Sequence, residues 1–320
     1  MDQFNVYKDM KARTNGEIYI GVVGPVRTGK STFIKRFMNL MVLPNIEDEN
    51  DRNRANDELP QSSSGKTIMT TEPKFVPNEA VSIKTEEGIE LNVRLIDCVG
   101  YMVEGATGHM EGEEERLVKT PWFDYEIPFT KAAAIGTKKV ITEHSTIGVV
   151  VTCDGSFGEI AAKQYEPAEE ETIKQLKALK KPFVVLLNTI HPYSESTKQL
   201  AAEKEEKYQT KVLPMNLEQM KKEDIYEIIK SVLMEFPISS IGFYVPRWTE
   251  MLKKDHPLKM ELLQMARDVI TEKTTMRDIY EEQEKEYEYI TGQKLESVAM
   301  DSGEVVIDSK SWGCNIIMNF

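Results

Sequence analysis

Residues Gly24-Pro25-Val26-Arg27-Thr28-Gly29-Lys30-Ser31 spell G-x-x-x-x-G-K-[ST]. Its four fixed positions recur by chance in about one chain in a hundred of this length. The chemistry this pattern serves is the gripping of a polyphosphate. Glycines let the main chain wrap a phosphate, and a helix opening at Lys30 offers the free N–H groups of its first turn, Ser31 and Thr32 included, at the positive end of its dipole. Gly24, Thr28 and Gly29 belong to the cradle, Lys30 is placed to reach the β- and γ-phosphates, and the Ser31 hydroxyl is placed to ligate Mg2+. Arg27 has two readings: positive charge supplied near the bridging oxygen or to a neighbouring subunit's site, or a solvent-facing side chain.

A second element sits downstream. Val93–Asp97 is apolar apart from Arg94 and runs into Asp97-Cys98-Val99-Gly100, a D-x-x-G at the end of a strand. An Asp there can hold Mg2+ through water while the Gly100 N–H meets the γ-phosphate. Alone the pattern is common; two strands after a phosphate loop it carries weight. Between the two lies Thr67-Ile68-Met69-Thr70-Thr71, where P-loop switch proteins place a threonine that completes the metal shell. Thr70 and Thr71 are the candidates, with Thr67 the outsider and plain solvation the alternative. The catalytic set is then Lys30, Thr70, Thr71 and Asp97, with Ser31, Thr70 and Asp97 on the metal.

This order of motifs resembles the translation-factor-like P-loop GTPase class, in which a later strand ends in N-K-x-D and the Asp receives two hydrogen bonds from guanine. Here Phe183–Leu187 runs into Asn188-Thr189-Ile190-His191. Asn188 is kept, Thr189 stands for the Lys, and His191 stands for the Asp. A neutral imidazole cannot accept two donors side by side as a carboxylate does, and losing such a pairing removes several kcal/mol of base preference. The expectation is a GTPase-like fold that has moved to ATP, with Asn188 and Thr189 near the nucleotide and His191 either beside the base or on a plain surface loop. After D-x-x-G comes Tyr101 rather than a Gln, so no side-chain amide is at hand to place a water, and turnover is expected to be slow or to depend on assembly.

Elements to position these residues can be read from periodicity. Strands are expected at 17–24, 74–83, 90–98, 146–152, 182–189 and 211–215, and helices at 30–41, 168–179, 197–208 and 222–235. Runs such as IYIGVVG, TIGVVVT and FVVLLN are apolar at every position, the mark of parallel strands covered on both faces. The fold class is therefore α/β: a P-loop NTPase with a mainly parallel sheet flanked by helices, then a smaller α/β domain. The polar stretch 46–66 reads as a mobile loop. Residues 101–145 read as a long insertion whose aromatic patch, Trp122–Phe129, is either core or a docking surface. A boundary near Pro237 gives domains 1–237 and 238–320, the second with helices at 257–273 and 275–289, a solvated acidic face over 278–288 and a hairpin near 304–307. The apolar run WGCNIIMNF at the end suggests a further region beyond Phe320.

Composition narrows the partners. Lys+Arg number 40 against 53 Asp+Glu, a formal charge of −13, which repels nucleic acid and anionic lipid. Three cysteines far apart argue for a reducing compartment, and no apolar leader or bilayer-length run is present. A cytoplasmic protein is expected.

With GPVRTGKS, TIMTTEPKFVP, LIDCVGYMVEGA, the insertion PWFDYEIPFTKAAAIGTKKVITEHSTIGVVVT and LLNTIHP in place, the whole chain resembles the stage IV sporulation protein A family, the spore-coat morphogenetic ATPases of endospore-forming bacteria. The resemblance implies Mg2+-dependent ATP hydrolysis. It also implies polymerisation of the protein with itself on the forespore from the mother-cell cytoplasm, as a platform for spore coat proteins. Attachment to the outer forespore membrane would be indirect, through a small amphipathic membrane-bound peptide. Family chains continue beyond Phe320. Two other readings stay open: a GTPase switch, and a scaffold that holds nucleotide without turning it over.

Overall fold

The computed structural model describes residues 6–60, 72–84, 90–106, 108–111, 114–158, 160–245, 247–280 and 287–311. Internal contacts divide the chain into one unit of Val6–Val232 and a second that takes in Leu233 onward.

In the first unit, apolar runs become strands and the segments between them become helices. The order is α1 (Val6–Arg13), β1 (Glu17–Val23), α2 (Lys30–Phe37), α3 (Glu49–Asp57), β2 (Lys74–Lys84) and β3 (Glu90–Asp97). Two short hairpins follow, β4–β5 (Met110–Glu111, Glu114–Glu115) and β6–β7 (Leu117–Thr120, Phe123–Pro128). Then come α4 (Phe129–Lys139), β8 (Ile147–Cys153), α5 (Ala162–Ala178), β9 (Phe183–Asn188), α6 (Glu195–Tyr208), β10 (Val212–Met215) and α7 (Lys222–Met234). Six strands form one sheet in the order β10-β9-β8-β1-β3-β2. All neighbours are parallel except β2, which runs antiparallel to β3. The α/β expectation holds.

Every residue of β8 and β9 is buried, as strands covered on both faces must be. Alternation on β1 sorts its side chains. Tyr19 and Val23 join the cluster that includes Val140, Ile173, Leu176 and Tyr208, from the end of α4 and from α5 and α6. Ile18 and Ile20 line an apolar seam with Met10, Phe37 and Ile229 of α1, α2 and α7. Burying a Val, Leu or Ile contributes about 1.5–3 kcal/mol. A one-residue slip would exchange the two faces, so the register is fixed. That register sets Val22 beside Asp97 and Cys153 beside Asn188, which gathers the loops after β1, β3, β8 and β9 at the carboxyl edge of the sheet. The order of connection reverses around β1, the place where open α/β sheets bind ligands.

Some expectations are corrected. Within 46–66, read as a mobile loop, Glu49–Asp57 is a helix capped by Asp48, whose side chain accepts from the Asp51 N–H at 2.9 Å. Only its Ala55 is buried, so no apolar stripe announced it; residues 61–66 lie outside the described residues. The insertion carries α4, whose Phe129, Ala132, Ala133, Gly136 and Thr137 are buried at helical spacing. The aromatic patch splits: Ile127 and Phe129 are core, whereas Tyr125 is exposed. Helix α5 begins six residues earlier than its apolar stripe, at Ala162 rather than at Ala168.

In the second unit, β11 (Ser240–Tyr244), α8 (Pro257–Glu272), α9 (Met276–Tyr280), β12 (Ile290–Ala299) and β13 (Glu304–Ser311) follow one another. The sheet order is β11-β13-β12, with β12 and β13 an antiparallel hairpin and β11 parallel to β13. The helix expected over 275–289 is described only as Met276–Tyr280. Asp278 anchors its start by accepting from the Thr274 and Thr275 N–H groups at 2.9 and 2.8 Å. Tyr287–Tyr289 is not helical; the Glu288 and Tyr289 amides instead donate to Glu261 of α8. Residues 281–286 and 312–320 lie outside the described residues.

Candidate functional site

Strand β1 ends buried and delivers the chain into a loop that must turn over its neighbour. Gly24 has φ +127°, and a Cβ there would lie 2.4 Å from the Val151 carbonyl oxygen on β8, so only glycine fits. Thr28, almost fully buried, donates its hydroxyl to the Pro25 carbonyl at 3.0 Å and closes the loop on itself. Gly29 is the N-cap of α2, and Ser31 and Thr32 occupy the first turn, both half-buried. Arg27 is exposed, with φ +60°. Its charge opposes the rise of the Tyr165 hydroxyl on α5, which burial pushes up to about 12.

Lys30 is 5% exposed, and its ammonium donates to the carbonyls of Pro25 and Gly24. Burial holds its pKa below the ordinary lysine range, with Cys98 and Asp97 opposing. Ser31 Oγ donates to Asp97 Oδ2 at 3.0 Å, and Asp97 Oδ1 is buried with no hydrogen-bond partner. Burial raises the Asp97 pKa, and the Lys30 charge opposes that rise. An ammonium, a hydroxyl and a carboxylate with one orphaned oxygen are costly to bury together unless something completes them. Magnesium takes one or two carboxylates together with phosphate oxygens, and this donor set fits that requirement.

The loop after β3 is stitched to the phosphate loop. Tyr101 N–H donates to Gly24 O at 3.3 Å and Val26 N–H to Tyr101 O at 3.0 Å, forming a parallel bridge between Pro25 and Tyr101. Gly100, at φ +94°, has no room for a Cβ, which would sit 2.2 Å from Gly24 O and 2.7 Å from Lys30 Nζ. The Tyr101 hydroxyl donates to Gln175 of α5 at 2.7 Å, and burial pushes its pKa up to about 12. It is committed to α5 rather than to a water.

At the end of β9, Asn188 ties two loops together. Its Nδ2 donates to Thr28 O at 3.0 Å and its Oδ1 accepts from Leu217 N–H at 3.2 Å. Thr189 is fully buried, and its hydroxyl donates to Asp154 Oδ2 at 2.6 Å. His191 is exposed. Of the candidates, the structure brings Gly24, Thr28, Gly29, Lys30, Ser31, Asp97, Gly100 and Asn188 into one connected group, with Thr32 and Arg27 on the same loop and helix turn. Thr189 is turned inward onto Asp154. Thr67, Thr70 and Thr71 lie outside the described residues. Sequence reading missed Asp154. Its signal was a carboxylate directly after a wholly apolar strand, next to Gly155 and Ser156.

Residues 1–237 match the family model described as Stage IV sporulation protein A, ATPase domain, and residues 238–312 match that of its middle domain. A curated Stage IV sporulation protein A from Clostridioides difficile (strain 630) is 50% identical over 306 residues, covering 95% of this chain and 62% of its own length. Its counterpart from Bacillus anthracis is 47% identical over 310 residues, covering 96% and 63%, and that from Bacillus subtilis (strain 168) is 46% identical, also covering 96% and 63%. The chain thus spans a little under two thirds of these relatives. Among solved structures, the crystal structure of an SsGBP and GDP complex aligns with 68% of this chain and 49% of its own at 13% identity and a TM-score of 0.38. With a family model matched over most of its length, the chain belongs to the stage IV sporulation protein A family.

Proposed function

We propose that this protein binds ATP with Mg2+ and hydrolyses it slowly, and that the cycle serves self-assembly on the forespore surface as a platform for spore coat assembly. The observation that carries the catalytic half is the buried Lys30 beside the Ser31–Asp97 pair with its orphaned oxygen, inside a loop closed by glycines. In this reading Lys30 and the loop amides hold the phosphates. Ser31, Asp97 and a threonine from Thr70 or Thr71 hold the metal, which supplies charge neutralisation when bound. ATP rather than GTP is favoured because His191 stands where a base-reading carboxylate would be needed, and slow turnover follows from Tyr101 being committed to Gln175.

The assembly half rests on family membership. Its partners in this reading are further copies of the chain, a small amphipathic membrane-bound peptide and coat proteins, reached from the mother-cell cytoplasm. Among the described residues no helix is long and apolar enough to cross a membrane, which accords with indirect attachment. Phosphate release from ATP and GTP, with and without Mg2+, tests the reading. ATP is expected to turn over faster, and Lys30→Ala to lose at least about 100-fold, the scale of removing a preorganised charge-stabilising group. Sedimentation of wild type and Lys30→Ala with ATP tests assembly; polymer from both alike would uncouple it from the site.

A further inference from the structure

Beyond the phosphate grip lies a second polar network that the motifs do not name. Asp154 follows β8 directly. Its Oδ2 accepts the Thr189 hydroxyl at 2.6 Å, and its Oδ1 accepts both the Ser156 N–H, at 2.9 Å, and the Ser156 hydroxyl. Those two hydroxyls are themselves acceptors for the next loop: Ile190 N–H donates to Ser156 Oγ and His191 N–H to Thr189 Oγ1, each at 3.1 Å. One carboxylate therefore orients both hydroxyls so that their lone pairs face the amides of residues 190 and 191.

The facing loop is satisfied in the same way. Leu217 N–H donates to Asn188 Oδ1, Glu218 N–H to Asn216 Oδ1 and Gln219 N–H to Asn216 O. Five backbone donors, at 190–191 after β9 and 217–219 after β10, are thus spent inside the protein. A guanine edge carries the O6 acceptor and needs a donor opposite it, whereas adenine brings its own N6 donor and needs an acceptor. A loop whose amides are engaged in this way withholds the donor that guanine needs.

We propose that Asp154 is the specificity-determining positioning residue of the purine loop: through Thr189 and Ser156 it fixes residues 189–191 and keeps their amides from serving guanine. This rests on the nucleotide reading above and adds a residue to it. The discriminating probes are Mg–ATP, Mg–GTP and Mg–tripolyphosphate, which shares the phosphates and lacks the base, titrated into the full chain by calorimetry.

For Asp154→Ala, ATP affinity is expected to fall about 10–100-fold, the range for losing hydrogen bonds to a charged group. The ATP-over-GTP ratio is expected to fall at least about fivefold, while tripolyphosphate affinity stays within about twofold. KM for ATP should rise in the same proportion with kcat at saturation little changed. Asp154→Asn, which keeps one acceptor, should lie between, and Ser156→Ala should shift the ratio the same way by about threefold. An unchanged ATP-over-GTP ratio in Asp154→Ala overturns the proposal, as does a tripolyphosphate loss equal to the ATP loss, which marks general damage to the fold. Wild type that takes up tripolyphosphate but neither nucleotide sinks the nucleotide reading itself, and this proposal with it.

Discussion

The carboxyl edge of the six-stranded sheet and the unit from Leu233 onward spend their side chains in opposite ways. At the sheet edge, polar groups are drawn inward: Lys30, Thr28, Asn188 and Thr189 are all buried and each has a named partner. In the later unit many polar contacts are helix and turn anchors, such as Asp278 on the start of α9 and Glu261 on the strand approach, beside a buried Glu235 paired with Arg277. Its apolar side chains divide between a buried stripe on α8 (Leu258, Leu262, Met265, Val269) and exposed positions on the same helix (Met260, Leu263, Ile270). Buried polar networks are costly and survive where they do chemistry or fix a geometry. A half-buried amphipathic helix only needs its core face. Substitutions should accordingly damage function more than stability in the first region and stability more than function in the second.

The largest effect expected is at Gly100. A Cβ there meets Gly24 O and Lys30 Nζ, so Gly100→Ala should cut ATP turnover by at least about 100-fold, with some stability lost to the left-handed backbone but the circular dichroism of a folded protein. Turnover within threefold of wild type would break the contrast. Cys98, beside Asp97, is buried and its thiol is pushed up to about 11 by burial. At pH 8 about one molecule in a thousand carries the thiolate there, against about a quarter for a free thiol. Its alkylation in the native protein should therefore run about 250-fold slower than in urea at that pH, and should speed up as pH rises toward 11. Mass spectrometry of iodoacetamide adducts reads this directly.

In the later unit, Leu262→Ala should cost about 2–5 kcal/mol in denaturant unfolding of that unit and leave nucleotide affinity where it was. Met260→Ala, one turn face away and 57% exposed, should cost no more than about 0.5 kcal/mol. Equal costs at the two positions would show that the exposed face is packed in solution.

What was legible in the sequence follows the same division. Phosphate-loop residues declare themselves because glycines, a lysine and a hydroxyl are needed at fixed spacing, and the wholly apolar β8 and β9 can be little else than covered parallel strands. Asp154 escaped because its role depends on register: Cys153 pairs with Asn188, and only that places it beside Thr189. Helix α3 escaped because it buries one residue, and β11 because it pairs with a strand more than sixty positions later, Ser240 with Glu304. The helix expected to run through to Tyr289 failed at its C-terminal end because tertiary contacts from Glu261 capture the Glu288 and Tyr289 amides. Local patterns carry local structure, and partners distant in sequence decide the rest.

The proposed function turns on whether the edge of this sheet holds a magnesium-bound triphosphate whose base need not be guanine. Isothermal titration of the chain with Mg–ATP and Mg–GTP, beside Lys30→Ala, measures this with no assembly step in the way. Saturable heat with ATP, weaker heat with GTP and none with the variant is the predicted result; a tenfold preference for GTP, or no heat with ATP, would contradict it.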